Sequence, residues 1–233
     1  MEVVGVLGGM GPLATVDFMR KVLDATPAAC DQDHVPMIVS CLPQIPDRTA
    51  AFRGQGDSPL DAIVDCGRRL ASAGADLIVM PCNTAHLWFD EVQAQLQQPM
   101  LHLVDTALRE ALALAAPEAR LGLLATDATL ASGLYINRRL PDLPTPAWLL
   151  PTASEMLHQV MPGIEAVKAG QLDIGRERLT EAARALRRRG ADVLVLGCTE
   201  LPLVLDAAVC GLPVVDATAA LARAVVARVA ATR

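Results

Sequence analysis

Short apolar runs alternate with amphipathic stretches along the chain, a pattern that predicts strands and helices following one another. Two of the apolar runs are near-copies, GADLIVMPCNTAH around Cys82 and GADVLVLGCTEL around Cys198. The same offset separates Gly74 from Gly190 and Cys82 from Cys198, so the copies align without a gap. Each run predicts a buried parallel strand that ends at a polar cluster, at the edge where open α/β sheets place their chemistry. We therefore expect both thiols to face one crevice.

The repeat extends beyond the cysteine segments. The opening strand, 3–7, resembles 120–124, and a helical pattern precedes each Gly-Ala-Asp triplet. After each cysteine, a further apolar run predicts a strand that ends at an aspartate, Asp105 or Asp216. Repeats of this length predict two similar lobes rather than a solenoid. The expected fold class is α/β, with two pseudo-symmetric lobes, each a mostly parallel sheet flanked by helices.

The repeat also places a domain boundary. Residues 1–116 form the predicted N-terminal lobe, which carries Cys82, and residues 117–233 form the C-terminal lobe, which carries Cys198. The C-terminal helix is a candidate to pack on the first lobe. A chain of this length can bury the two cores that such a division requires.

Composition narrows the class of protein. The chain is 52% hydrophobic but only 3% aromatic, which suits Val/Leu strands beneath Ala/Leu helices. Its net charge of −6 argues against a phosphate-tracking surface, so we expect no nucleic-acid partner. The run Arg187 to Arg189 is interpreted as the solvated last turn of a helix. With no apolar run of membrane-spanning length and no basic leader, we expect no membrane association and a cytoplasmic location.

The chain has six cysteines, without a C-x-x-C pair or a histidine at zinc-finger spacing, so we expect no metal site. Four of them are interpreted as small buried hydrophobes. These are Cys30, Cys41, Cys66 and Cys210. Cys82 and Cys198 differ because each lies among polar residues at a strand end, and this indicates chemistry.

A glycine-rich turn, Gly8 to Pro12, follows the first strand, and a helix is predicted to begin at Pro12. The turn fits neither the dinucleotide-binding fingerprint nor the P-loop. Its backbone N–H groups suit a small anion such as a carboxylate.

The motifs GGMGP, DQDH, PDRT, PCNTAH and GCTEL, in this order, resemble the aspartate/glutamate racemase superfamily, in particular its aspartate racemase branch. The resemblance covers nearly the whole chain. It implies an amino-acid racemase that uses no cofactor, is usually dimeric, and has its active site between two lobes. A pyridoxal enzyme would need a Schiff-base lysine, and a chain with two lysines and no phosphate loop gives no support for one.

Racemisation explains why a repeat would carry two thiols. Inverting an α-carbon requires a proton to leave one face and another to arrive at the opposite face, so two acid/base groups must flank the carbon. By resemblance, Cys198 would deprotonate the L-enantiomer and Cys82 the D-enantiomer. A helix N-terminus beside each thiol would favour its thiolate.

The residues beside the cysteines are candidates for substrate binding. Asn83, Thr84 and Thr199 are placed to donate to the α-carboxylate, although hydroxyl and amide side chains also cap helices. Glu200 is a candidate acceptor for the α-ammonium, with service to a helix dipole as the alternative. His86 would either tune Cys82 or play a structural part.

The side-chain carboxylate of an amino-acid substrate needs cations of its own. Arg48 and Lys168 resemble the residues that grip a β-carboxylate in aspartate racemases, and Lys168 is one of only two lysines here. Met10 and Thr126 line the site by the same resemblance. The segment 43–59 around Arg48 is a candidate mobile lid.

Three interpretations remain open. The first is an aspartate racemase; the second is a relative with the same two thiols that acts on glutamate, on other amino acids or on hydantoins. The third, from another class, is a non-catalytic small-ligand-binding α/β module in which the cysteines are structural.

Overall fold

Each half of the chain contributes four parallel strands to a sheet of its own. In the computed structural model, which describes residues 1–232, the first sheet has the strand order β2-β1-β3-β4. Its strands are β1 (Val4–Gly8), β2 (Met37–Cys41), β3 (Leu77–Val79) and β4 (Met100–Leu101). The helices in this part of the chain are α1 (Pro12–Ala25), α2 (Arg48–Phe52), α3 (Leu60–Ser72), α4 (Phe89–Gln93) and α5 (Leu103–Leu114), with 3₁₀ turns at Asp31–Asp33 and Thr84–Trp88.

The second sheet has the equivalent order, β6-β5-β7-β8. Its strands are β5 (Arg120–Ala125), β6 (Ala147–Leu149), β7 (Val193–Gly197) and β8 (Val214–Asp216). The remaining helices are α6 (Asp127–Ala131), α7 (Ala153–Glu155), α8 (Met161–Lys168), α9 (Leu172–Arg188), α10 (Ala207–Cys210) and α11 (Ala217–Ala230), with a π segment at Met156–Val160 and a 3₁₀ turn at Leu201–Leu203. The predicted fold class, parallel sheets flanked by helices in two similar halves, is confirmed.

The repeated Gly-Ala-Asp triplet has the same structural role in both halves: it ends a helix and leads into the cysteine strand. Gly74 and Gly190 follow α3 and α9 with φ of 99° and 91°, the left-handed conformation in which a helix ends most easily on glycine. The next residue, Ala75 or Ala191, is buried.

The aspartate of each triplet then fixes strand register. Asp76 Oδ2 accepts from the N–H of Val3 at 2.8 Å, and the Asp76 N–H donates back to the Val3 carbonyl at 2.8 Å. Asp192 makes the same pair of bonds with Arg120, at 2.8 and 2.9 Å. The cysteine strand is therefore locked to the first strand of its own sheet before regular pairing begins.

The predicted ends of helices and strands agree with the structure at three places and are wrong at one. A helix begins at Pro12, and Arg187 and Arg188 occupy the last turn of α9, as predicted. The predicted strand ending at Asp105 is wrong, because β4 stops at Leu101 and Asp105 lies in the first turn of α5. The His102 carbonyl accepts from the Asp105 N–H, which starts the helix, and an acidic residue there suits the helix dipole. The equivalent strand in the second half does end at Asp216.

The chain divides into two compact units, residues 1–106 together with the segment from 218 onward, and residues 107–217. Within the first unit, α11 is attached by polar contacts at both ends. Lys21 Nζ donates to Thr218 Oγ1 at 2.8 Å, and the Arg228 guanidinium contacts the Glu2 carboxylate at 3.0 and 3.1 Å. The boundary predicted after residue 116 separates the two copies of the sequence repeat, whereas the units above are defined by compactness, so that boundary stays a prediction.

No helix within residues 1–232 has the length and apolar character needed to cross a membrane.

The glycine-rich turn suggests a test of stability. The buried Thr15 hydroxyl accepts from the Gly9 N–H at 2.8 Å and donates to the Gly11 carbonyl at 2.9 Å. Thr15→Val keeps the shape but leaves a buried N–H without its acceptor, so we expect a loss of about 1–3 kcal/mol in unfolding free energy, measured by urea denaturation. The matched control is Thr180→Val, since the buried Thr180 hydroxyl has no hydrogen-bond partner among the described residues. Equal losses in the two variants would contradict this interpretation.

Candidate active site

The first candidate thiol lies just beyond the end of β3. The Cys82 N–H donates to the Met80 carbonyl at 2.8 Å, which turns the chain, and the side chain is 6% exposed. Asn83 and Thr84 follow directly and are buried, at the start of the 3₁₀ turn Thr84–Trp88. Met10, from the glycine-rich turn, belongs to the same buried cluster as Cys82. The strand end therefore gathers four of the predicted site residues.

His86 acts on the backbone of Cys82. Its Nδ1 lies 2.8 Å from the Cys82 carbonyl oxygen, and its Nε2 accepts from the Leu103 N–H at 3.1 Å. Because Nε2 is an acceptor, the proton of the neutral ring is on Nδ1 and is donated to that carbonyl. The ring also stacks on Phe89, with centroids 5.4 Å apart. This geometry favours the structural interpretation of His86 over direct tuning of the thiol.

Arg48 begins α2, a short helix capped by the Asp47 carboxylate. Its Nη1 donates to the carbonyls of Ile45 at 3.0 Å and Pro46 at 2.9 Å. Its Nε is buried and has no hydrogen-bond acceptor among residues 1–232. The helix packs against the 3₁₀ turn that follows Cys82. Arg48 is thus a cationic donor without an acceptor, on a helix next to the segment that follows the thiol. A carboxylate ligand would supply the missing acceptor.

The second candidate thiol has a carboxylate as its direct partner. Cys198 follows β7, is 5% exposed, and donates its S–H to Glu200 Oε2 at 3.0 Å. The Thr199 hydroxyl donates to the same oxygen at 3.2 Å. Burial first, and then the Glu200 charge, raise the pKa of the Cys198 thiol well above its ordinary value. Cys198 is therefore protonated at neutral pH.

Lys168 opposes this effect from the end of α8. Its ammonium lowers the pKa of Cys198, which places it within electrostatic reach of the sulfur. The helix α8 packs against the 3₁₀ turn Leu201–Leu203 that follows the cysteine segment. Thr126 caps α6, with its Oγ1 accepting from the Thr129 N–H at 3.2 Å, and is 4% exposed.

The predicted site residues thus fall into two groups, one in each unit. The first unit holds Met10, Arg48, Cys82, Asn83 and Thr84, and the second holds Thr126, Lys168, Cys198, Thr199 and Glu200. Within each group the residues follow parallel strands or lie on helices packed against the 3₁₀ turn after the cysteine. The Glu200 carboxylate already accepts from Cys198 and Thr199, so a role toward the α-ammonium stays a prediction. The described residues contain no group of three or more His, Cys, Asp or Glu side chains arranged to hold a metal ion.

Tyr135 is a candidate that the sequence pattern did not single out. It is 1% exposed, and burial, followed by the charges of Asp216 and Cys198, raises the pKa of its phenol far above the ordinary range. The phenol is therefore a permanently neutral group near the second thiol. The centroid of its ring lies 6.1 Å from that of Trp148, and the two ring planes are at 79° to each other. The only signal in the sequence was that Tyr135 is the chain's sole tyrosine.

Comparison with known proteins assigns the chain and its fold to one family. A family model described as Asp/Glu/Hydantoin racemase matches residues 7–225. The chain belongs to the Asp/Glu/hydantoin racemase family. A relative, the broad specificity amino-acid racemase RacX of Bacillus subtilis (strain 168), is 30% identical in an alignment of 239 residues that covers 96% of each chain.

Solved structures agree with the family assignment. The aspartate racemase of Picrophilus torridus is 33% identical, with a TM-score of 0.86 over 99% of this chain and 95% of that one. An aspartate racemase homologue from Pyrococcus horikoshii OT3 has a TM-score of 0.76 over 99% and 100% of the two chains, and at 22% identity it supports the fold alone. The resemblance inferred from the motifs is confirmed. The chain is an amino-acid racemase, hence an isomerase, and the non-catalytic alternative is set aside.

The two candidate thiols of this racemase allow a direct test of the Cys198–Glu200 contact. Cys82 and Cys198 are about equally buried, so access alone does not favour alkylation of either. Because iodoacetamide reacts with the thiolate, Glu200→Gln should accelerate alkylation of Cys198 at pH 8 by about tenfold, for a pKa lowered by one unit. Peptide mapping by mass spectrometry measures each cysteine separately, with Cys82 as the internal reference.

The control for that test is Glu165→Gln, which makes the same chemical change at an exposed position of α8. It should leave Cys198 alkylation unchanged. If Glu200→Gln also leaves it unchanged, the carboxylate does not govern the protonation of this thiol.

Proposed function

We propose that this racemase interconverts L- and D-aspartate, with Cys82 and Cys198 as the two acid/base groups. The observation that carries the substrate assignment is that each cysteine segment has a cation beside it. Arg48 has a buried Nε without an acceptor on a helix packed against the turn after Cys82, and Lys168 acts electrostatically on Cys198. Such cations suit a substrate with a carboxylate on its side chain. The 33% identity to an aspartate racemase supports the same choice.

The proposed cycle starts from the thiol that is protonated at rest. With its S–H donated to Glu200, Cys198 is prepared to deliver a proton, so Cys82 has to act as the base toward D-aspartate. Cys82 would remove the α-proton from one face, and Cys198 would protonate the carbanion from the other. The product L-aspartate leaves the two protonation states exchanged. Starting from L-aspartate, Cys198 would be the base and Glu200 would need to tolerate a neighbouring thiolate, with Lys168 offsetting the charge.

The remaining site residues would bind the common part of the substrate. Asn83, Thr84 and Thr199 would donate to the α-carboxylate, and charge that builds up on it in the carbanion would strengthen those bonds. Glu200 would accept from the α-ammonium through the oxygen that Cys198 and Thr199 do not use. Met10 and Thr126 would line the site.

A second candidate is a racemase of broad specificity. It is favoured by the 30% identity to RacX, which spans 96% of both chains. In that case Arg48 and Lys168 would set a preference among side chains and would not be required for turnover.

Exchange in deuterated water tests both candidates. The protein is incubated with each L-amino acid of a panel in D₂O, and α-deuterium and chirality are measured over time. For an aspartate racemase we expect turnover confined to aspartate. Because the two faces use different thiols, early deuterium should appear in the D-product and not in the remaining L-substrate. Turnover across many side chains would favour the second candidate.

Variants of the thiols complete this test. Cys82→Ser and Cys198→Ser should each lower racemisation by about 10²- to 10⁴-fold, the range for a lost acid/base group. Cys210→Ser, at a buried cysteine away from the strand ends, is the matched control and should retain activity. Full activity in either strand-end variant would overturn the two-thiol mechanism.

We also propose that the protein is a homodimer that works in the cytoplasm. The support for a dimer is a row of exposed apolar side chains on α1, where Leu13, Val16 and Leu23 are 50%, 61% and 44% exposed. The support for the location is the chemistry, since free thiols persist where the compartment is reducing.

Light scattering coupled to gel filtration checks the dimer. Val16→Glu places a charge in the apolar row and should yield a monomer. Leu114→Glu changes a similarly exposed apolar residue on α5 and should leave the dimer intact. A wild-type protein that is monomeric at every concentration tested would contradict the proposal.

A further inference from the structure

The helix that carries Lys168 is not a regular α-helix. It runs from α7 through the π segment Met156–Val160 into α8 without a break, and the Met161 N–H donates to the Met156 carbonyl five residues earlier. A π turn contains about one residue more than an α turn, and one residue corresponds to roughly 100° of rotation. The direction of every side chain in α8, including Lys168, therefore depends on whether this turn is kept.

Pro162 leaves a gap in the hydrogen bonding of this helix. It has no N–H, so it cannot donate to the carbonyl four residues before it, which is that of His158. Arg178 fills the gap from α9, with its Nη1 donating to the His158 oxygen at 2.9 Å. The bond is charge-assisted, and it joins the irregular turn to a neighbouring regular helix.

The same neighbour, α9, contacts the helix that contains the π segment at two further places along its length. Near its own C-terminus, Arg189 donates to the Glu155 carboxylate at 2.7 Å and to the Leu150 carbonyl at 3.0 Å. Near its N-terminus, α9 approaches α8 closely at two glycines. A Cβ on Gly163 would lie 2.7 Å from Leu179 Cγ, and a Cβ on Gly175 would lie 2.4 Å from Val167 Cγ2.

The inner face of α8 reaches the second thiol. Ile164 and Val167 of α8, and Val160 at the end of the π segment, belong to the same buried cluster as Cys198 and Leu179. Lys168 follows Val167 directly and acts electrostatically on Cys198. A change in the rotation of α8 would alter the position of the ammonium relative to the sulfur.

From these contacts we infer that Arg178 is a positioning residue for substrate specificity: by bonding the His158 carbonyl it maintains the π turn and thereby aims Lys168 at the site. The inference rests on the proposed role of Lys168 toward a β-carboxylate. Arg178 itself contacts neither thiol and acts through the helix.

The first measurement is steady-state racemisation of L-aspartate by the full-length protein. Arg178→Ala should raise KM for aspartate by about three- to tenfold, as expected for loss of a charge-assisted hydrogen bond, with a smaller change in kcat. Arg178→Lys, which keeps a cationic donor, should restore much of the loss. Arg176→Ala removes an exposed arginine from the same helix and should behave as wild type.

The second measurement does not depend on the substrate. If Lys168 moves away from Cys198, the thiol loses the charge that favours its thiolate, and alkylation by iodoacetamide should slow by up to about tenfold. Lys168→Met should slow it in the same way. In the double variant Arg178→Ala/Lys168→Met there should be no further effect, because both changes remove one interaction.

The outcomes separate this inference from the proposed function. Slower Cys198 alkylation in Arg178→Ala, in a protein that does not racemise aspartate, would support the positioning role and refute the substrate. In the opposite case, the protein racemises aspartate while Arg178→Ala changes neither KM nor the rate of Cys198 alkylation. That result would refute the positioning role and leave the proposed substrate in place. Faster alkylation would show that the substitution opens the site rather than redirecting Lys168, and would also refute it.

Discussion

The position of both thiols depends on one carboxylate in each sheet. Through both side chain and backbone, Asp76 binds Val3, just before β1, and Asp192 binds Arg120, the first residue of β5, and so they fix where each cysteine strand starts. A slip of one residue would send each thiol to the opposite face of its sheet. The acidic residue lies at the opposite end of the strand from the cysteine, yet it determines where the strand places that cysteine.

The duplicated backbone supports two different environments. On one side a histidine holds the carbonyl of Cys82, and on the other a glutamate holds the thiol of Cys198 itself. The two enantiomers of an amino acid are equal in free energy, so kcat/KM must be equal in the two directions whatever the environments are. The difference between the two thiol environments can therefore alter which protonation state of the free enzyme accumulates, and the separate values of kcat and KM. It cannot alter the equilibrium between the enantiomers.

Local patterns predicted much of this molecule. The paired cysteine strands, the helix at Pro12 and the basic last turn of α9 each depend on residues close together in sequence. The strand ending at Asp105 was predicted wrongly because the apolar residues Leu103 and Val104, after β4, begin a helix instead of extending the strand. The carbonyl partners of Arg48, the contact between Cys198 and Glu200, and the bond from Arg178 to His158 could not be predicted, because each depends on side-chain direction or on packing between distant segments.

Tyr135 is useful for spectroscopy because of where it lies. It is the chain's one tyrosine, it is buried, and its phenol lies within the electrostatic reach of Cys198 and against the edge of Trp148. The ultraviolet absorption of a buried phenol shifts when the charge close to it changes. Tyr135 thus places an optical reporter near Cys198, and a change in the charge of that thiol is expected to shift the tyrosine absorption.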